Sequence, residues 1–211
     1  MEKFLKLLAV GWLVLVFSSV FAASTLAAGA PASAPDPTER VKEVTDNLLK
    51  KLVEIQPYYE SDSERFFKEI EASLAPFIDF KGFSRGVMAK YYRRASDQQK
   101  GQFAAVFKSS LIRTYATALV EFDNQQVVVK ASSELQKNPK KARVDLEVTG
   151  NDGTFYPVEY SLVLVEGDWK LRNLVINGIN IGLQFRSQFS SFMQQHRNNI
   201  DKVIENWKVD G

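Results

Sequence analysis

The stretch from Asp79 to Phe122 constrains this chain more than any other. Its residues are mostly good helix formers, yet a large apolar or aromatic side chain recurs on nearly every turn. Phe80, Phe83, Val87 and Tyr91 form one row; Phe103, Phe107, Leu111, Tyr115, Leu119 and Phe122 form the next. Spacings of three and four put such residues on one face of a helix. A face this greasy must be covered. It packs as ordinary core or it forms one wall of an apolar cavity, and both uses share the same periodicity.

The flanking segments extend the helical pattern. Pro37–Ile55 reads as an amphipathic helix with Val41, Val44, Leu48, Leu52 and Ile55 on one face. Gln56-Pro57 ends it. Ser61 and Glu64 form a capping-box pattern, and so do Ser96 and Gln99. These predict a helix carrying Phe66, Phe67, Ile70 and Leu74, a third helix over about Phe80–Arg94, and a long fourth one reaching about Phe122.

The period then switches from 3.6 to 2. Gln125–Glu134 holds Val127, Val128 and Val129. Arg143–Thr149 alternates, with Val144, Leu146 and Val148 on one face and Arg143, Asp145 and Glu147 on the other. Asn151-Asp152-Gly153 signals a turn. Tyr156–Val165 follows, with Val158, Tyr160, Leu162 and Leu164 on one face, and Glu166-Gly167-Asp168 leads into Trp169–Ile176. Four strands joined by short turns imply an antiparallel meander. Helices return through Phe185, Phe189 and Phe192 or Met193, and then Ile200, Val203, Ile204 and Trp207. The fold class is α+β, with helices over one face of a four-stranded, strongly curved antiparallel sheet.

The first residues belong to another process. Lys3 and Lys6 precede an apolar run, Leu7–Phe21, and then the small-residue stretch AASTLAAGAPASAP. That order matches a secretory signal, with cleavage after Ala22, Ala28 or Ala30. The run is shorter than the ~20 residues of a spanning helix, which speaks against the alternative of an uncleaved anchor. Residues 1–30 are thus assigned to the signal, 31–36 to a flexible leader, and 37–211 to one domain. Removing Glu2, Lys3 and Lys6 takes the formal net charge from +2 to +1, so no strong field draws nucleic acid. The chain has no cysteine, which excludes disulfides, a thiol nucleophile and a lipidated N-terminal cysteine.

Catalytic patterns are sparse. His196 is the one histidine, and it stands in a polar run. No metal-ligand spacing or phosphate-cradling glycine loop occurs. Asp145 and Glu147 share a strand face that points to water. Neither catalytic nor metal-binding residues are assigned. Two weak basic clusters, Lys90 with Arg93 and Arg94, and Lys137 with Lys140 and Lys141, read as solvated or as contacts for an anionic group.

Two long motifs carry a family resemblance. DFKGFSRGVMAKYYRRASDQQKGQFAAVFKSSLIRTYATAL closely resembles a signature region of the MlaC family, the toluene-tolerance or ABC-transporter auxiliary proteins. WKLRNLVINGINIGLQFRSQF, Trp169–Phe189, is similar to that family's W-K-V-x-(D/N)-(V/I) strand and N-Y-R-S-Q-F helix start. Gln184-Phe185 stands here where Asn-Tyr is common. Ile200–Ile204 fits the family ending. The resemblance implies an NTF2-like sheet with added helices and a lipid cavity between the layers. It also implies a monomeric periplasmic carrier that is not an enzyme and takes no cofactor, with phospholipid as cargo. Its partners would be an inner-membrane ABC-type complex and an outer-membrane lipoprotein–porin complex, and its role the maintenance of outer-membrane lipid asymmetry.

On that reading the helical wall of the cavity uses Phe83, Val87, Tyr91, Phe103, Phe107, Leu111 and Tyr115. The sheet wall uses Val144, Leu146, Val148, Tyr160, Leu162, Leu164, Trp169 and Leu171, with Phe185 and Phe189 closing one end. Leu162→Asp is expected to lower the lipid recovered with the protein. Two rivals remain open. A small NTF2-like enzyme needs an acid or base on the apolar face, and a ligand-free interaction module needs an interior below the ~300 Å³ of ordinary ligand pockets.

Overall fold

The computed structural model describes residues 35–120, 126–130, 138–149 and 153–207. The proposed signal therefore lies outside the described residues, as do Lys137, Phe122 and the turn residues Asn151 and Asp152. Among the described residues, no helix is long and apolar enough to cross a membrane.

Helix α1, Pro37–Ile55, starts where Asp36 accepts hydrogen bonds from the Thr38 and Glu39 amides at 2.7 and 3.2 Å. Proline at the first helical position has no amide to leave unsatisfied. The expected stripe of Val41, Val44, Leu48, Leu52 and Ile55 is buried. A single turn, α2 (Tyr58–Ser61), leads to α3, Ser63–Leu74. Here the capping differs from expectation. Ser61 ends α2 and donates to the Pro57 carbonyl at 2.8 Å, so Asp62 caps α3 instead, accepting from the Arg65 amide at 3.1 Å. Glu64 is used elsewhere, in a bidentate pair with Arg113 at 2.8 and 2.7 Å.

Helix α4 runs only over Phe80–Met88. The longer helix expected to Arg94 is broken by Ala89, whose φ of 46° is left-handed, and one 3₁₀ turn follows over Ala89–Tyr91. The break keeps Tyr91 and Ala95 inward and leaves Lys90, Arg93 and Arg94 in solvent. The second capping box forms as expected. Ser96 Oγ accepts from the Gln99 amide at 3.1 Å and Gln99 Oε1 accepts from the Ser96 amide at 3.0 Å. From it rises α5, Asp97–Val120.

The sheet is an open antiparallel meander in the order β1-β2-β3-β4-β5. Its strands are β1 (Gln126–Val129), β2 (Lys141–Thr149), β3 (Phe155–Val165), β4 (Asp168–Ile176) and β5 (Ile179–Asn180). Four strands were expected, and the fifth is a two-residue addition. It is made by Asn177-Gly178, both at positive φ, 47° and 79°, the dipeptide that a tight hairpin turn favours. Val144, Leu146 and Val148 of β2 are buried, as the alternation predicts. Arg143, Asp145 and Glu147 form ion pairs on the opposite face: Arg143 with Asp145 and with Glu159, each at 2.9 Å, and Lys130 with Glu147.

Asn180 caps α6, Ile181–Gln195, by accepting from the Leu183 amide at 3.0 Å. Helix α7, Ile200–Asn206, closes the described fold and ends at Trp207. Buried side chains fall into two clusters. The larger joins the inner sheet face with α4, the first half of α5, α6 and α7. The smaller joins α1, α3 and the second half of α5 through Leu48, Leu49, Leu52, Ile55, Phe66, Ile70, Ile112 and Ala116. Two helices serve both: α5, and α1, whose Val41 and Val44 belong to the larger cluster.

Candidate functional site

Between the two clusters lies an apolar cavity of about 150 Å³. Helix α1 contributes Val44 and Leu48, α3 contributes Ile70 and Leu74, and the link between α3 and α4 contributes Phe77 and Ile78. From α5 come Leu111, Ile112, Tyr115 and Ala116; from the sheet Tyr160, Leu171 and Leu174; from α6 Ile181. Among the described residues, no charged side chain lines it, and the polar side-chain atoms of its lining residues are the hydroxyls of Tyr115 and Tyr160. Burial pushes both phenols up to about 12. Both therefore remain protonated near neutral pH.

One wall is fixed by an unusual junction. The link between α3 and α4 joins β4 through a parallel bridge between Ile78 and Leu171. The Leu171 amide donates to the Phe77 carbonyl at 2.7 Å, and the Asp79 amide donates to the Leu171 carbonyl at 2.9 Å. The β3–β4 register shifts between Ser161 and Leu162, which makes Arg172 an extra residue on β4. Arg172 Nε reaches Asp79 at 2.8 Å, while Asp79 also caps α4 at the Gly82 amide, 2.8 Å away. A Cβ on Gly82 would overlap both the Asp79 carboxylate and the Arg172 guanidinium, so these side-chain ends would have to shift to admit one. The junction holds Phe77 and Ile78 against the cavity.

A second tie sits at the start of α1. Arg40 donates to both Asp168 oxygens at 2.8 and 3.1 Å, and Lys170 donates to Asp168 at 2.7 Å. Burial opposes ionisation of Asp168, but the hydrogen bonds and charges of Lys170 and Arg40 prevail and hold its carboxyl below the usual value. Next to them, Trp169 Nε1 donates to the Pro35 carbonyl at 2.6 Å.

Of the residues expected to line a cavity, Leu111, Tyr115, Tyr160 and Leu171 do so. The other aromatic candidates pack on one another. Phe103 lies 4.8 Å from Phe189 and 5.9 Å from Phe107; Phe107 lies 5.2 Å from Phe83 and 5.4 Å from Phe185; Tyr91 lies 5.8 Å from Phe189. Trp207 closes this block 5.0 Å from Phe103. Val87, Val144, Leu146, Val148, Leu162 and Trp169 are buried in the same cluster, and Leu164 is half-buried against it. The cavity instead draws on α1 and α3. Their apolar stripes are plain in the sequence, but a stripe does not say whether its partner is a side chain or a space.

Of the basic groups, Lys90 sits over the Tyr91 ring at 5.0 Å, while Arg93 and Arg94 are exposed. His196 ends α6 with its ring 6.3 Å from Phe192. Among the described residues, no group of His, Cys, Asp and Glu is arranged to hold a metal. A separate polar cleft lies between the start of α5 and α7, lined by Ser96, Gln98, Gln99, Gln102, Asp201, Ile204 and Glu205.

Comparison with known proteins places this geometry. The chain is 39% identical over 176 residues to the toluene tolerance protein ttg2D of Pseudomonas putida, covering 83% of this chain and 81% of that protein. It is 21% identical over 143 residues to the intermembrane phospholipid transport system binding protein MlaC of Haemophilus influenzae, covering 67% of each. The fold matches a phospholipid-binding protein from Ralstonia solanacearum, solved in complex with a phospholipid. The TM-score is 0.73 at 24% identity, covering 81% of this chain and 94% of that one. The family model of the MlaC protein matches residues 42–209, and the chain belongs to the MlaC family.

Proposed function

We propose that this protein is a periplasmic phospholipid carrier. It takes lipid at an inner-membrane ABC-type complex or an outer-membrane lipoprotein–porin complex and releases it at the other, so maintaining outer-membrane lipid asymmetry. The observation that carries this reading is the apolar cavity at the seam between the helical and sheet-based clusters. The named functions of the relatives support it. So does the basic, apolar and small-residue order of the first thirty residues, which suits an exported chain.

Acyl chains supply the affinity. At ~0.8 kcal/mol per methylene, ten buried methylenes contribute about 8 kcal/mol before the costs of binding. Exposed head-group pairs add about 0–1 kcal/mol each. Several head groups are therefore tolerated.

A cavity of about 150 Å³ is smaller than the ~300 Å³ of ordinary ligand pockets. On the carrier reading the seam widens as lipid enters, with α1 and α3 moving from the sheet while the aromatic block stays packed. The same volume favours the second reading, a module that docks on partners and holds no ligand.

Native mass spectrometry of the purified protein, followed by lipid extraction, separates the two. The carrier gives a phospholipid adduct, and Ala116→Phe, which fills the cavity from α5, removes it. A protein that carries no lipid from cells, and takes none from vesicles, is the ligand-free module.

A further inference from the structure

We propose that Tyr115 and Tyr160 recognise a neutral carbonyl of an ester-linked acyl lipid inside the cavity, so that the protein selects diacyl esters over the corresponding ethers. This rests on the carrier reading and adds to it the part of the ligand that is read.

The two phenols come from opposite walls, Tyr115 from α5 and Tyr160 from β3. Each ring is held by an aromatic neighbour: Tyr115 stands edge-on to Phe185 at 6.4 Å, and Tyr160 lies tilted against Phe77 at 6.3 Å. Neither hydroxyl has a hydrogen-bond partner among the described residues, and neither is among the fully buried unpaired side-chain atoms, so water can still reach both in the empty cavity. Greasy chains that fill the cavity displace that water, and a ligand group that pairs with the hydroxyls offsets the cost of losing it.

The chemistry of the walls narrows the choice of ligand group. A phenol is protonated near neutral pH, and burial only raises these two further, so each can donate. The complement must then accept a hydrogen bond. It must also be uncharged, because among the described residues no Lys, Arg or His lines the cavity and an unpaired buried anion is strongly disfavoured. A phosphate or a fatty-acid carboxylate is therefore turned away, and a pure hydrocarbon leaves both phenols unpaired. An ester carbonyl meets every condition. It also lies where a phospholipid changes from greasy to polar, so its capture sets how deeply the chains sit. A site built to hydrogen-bond a group discriminates against the analogue lacking it.

The test uses the delipidated mature chain and vesicles of two phosphatidylcholines with the same chains, one a diester and the other a dialkyl ether. Uptake is read by native mass spectrometry in direct competition. The wild type is expected to prefer the diester by about tenfold, the scale of one net hydrogen bond. A long-chain fatty acid should be taken poorly. In Tyr115→Phe/Tyr160→Phe, which keeps both rings, the ratio of diester to ether uptake should fall to near unity. Equal uptake of the two lipids by the wild type overturns the inference without touching the carrier reading, and so does an unchanged preference in the double variant. If neither lipid is taken up, the carrier reading fails too. Should the double variant not fold, the ester-to-ether ratio of the wild type decides alone.

Discussion

At the residue scale, identical side-chain types do different work according to what lies opposite. Phe189 is fully buried, and its ring meets Tyr91, Phe103 and Trp207 at 5.8, 4.8 and 5.9 Å. Phe189→Ala is expected to cost about 3–5 kcal/mol in urea unfolding, because neighbours in a close-packed block cannot collapse into the gap. The two cavity phenols should show themselves by titration. Tyr115 and Tyr160 should ionise near 12 rather than 10. Their folded values are raised, so the stability they contribute is full below pH 10 and is lost as pH rises toward 12. Tyrosinate absorbance of the double phenylalanine variant should lack that late step. At the acid end the sign reverses. Asp168 is held below its usual 3.8, so its contribution is present above that value and disappears as pH falls through the lowered one. Asp168→Asn should flatten the acid limb of a stability–pH curve.

At the element scale, legibility followed local chemistry. The capping box at Ser96 and Gln99 was readable because both partners lie within one turn, and the one distant partner, Asp201, takes the Gln99 Nε2 and leaves the capping Oε1 free to accept. Ser96→Ala should cost about 1 kcal/mol by thermal or chemical unfolding. The similar pattern at Ser61 and Glu64 misled, because Asp62 lies between them and Arg113, distant in sequence, takes the glutamate. The short fifth strand had a clear signal in Asn177-Gly178, but two following residues are too few to show alternation. The break at Ala89 has no glycine or proline to announce it. Gly82 illustrates a close approach set by tertiary contact. Gly82→Ala should weaken the fold by displacing Asp79 from its cap and from Arg172. Asp79→Asn, which keeps a cap acceptor, should be milder, and comparing their melting temperatures checks the order.

At the scale of the whole molecule, the sequence made the layers plain: helices, meander, helices, with apolar faces that had to meet. It did not reveal where those faces fail to meet. That depends on α1 and α3 packing with the second half of α5 as a cluster of their own, a matter of orientation rather than of periodicity. The cavity is the remainder between two satisfied cores. Such a boundary opens at less cost than the interior of either core, since few side chains must leave a packed neighbour. A bound lipid should therefore raise the melting temperature in proportion to the logarithm of its concentration.

Helix α5 has 24 residues and is about 36 Å long at 1.5 Å per residue. Phe103 and Phe107 near its start touch the Trp207 indole, while Tyr115 and Ala116 near its end border the space. A stiff lever of this kind cannot yield at one end in isolation. If occupancy tilts it, the indole at the opposite end should change its emission, giving an intrinsic optical gauge of filling in a Trp169→Phe background from which residues 1–30, and with them Trp12, have been removed.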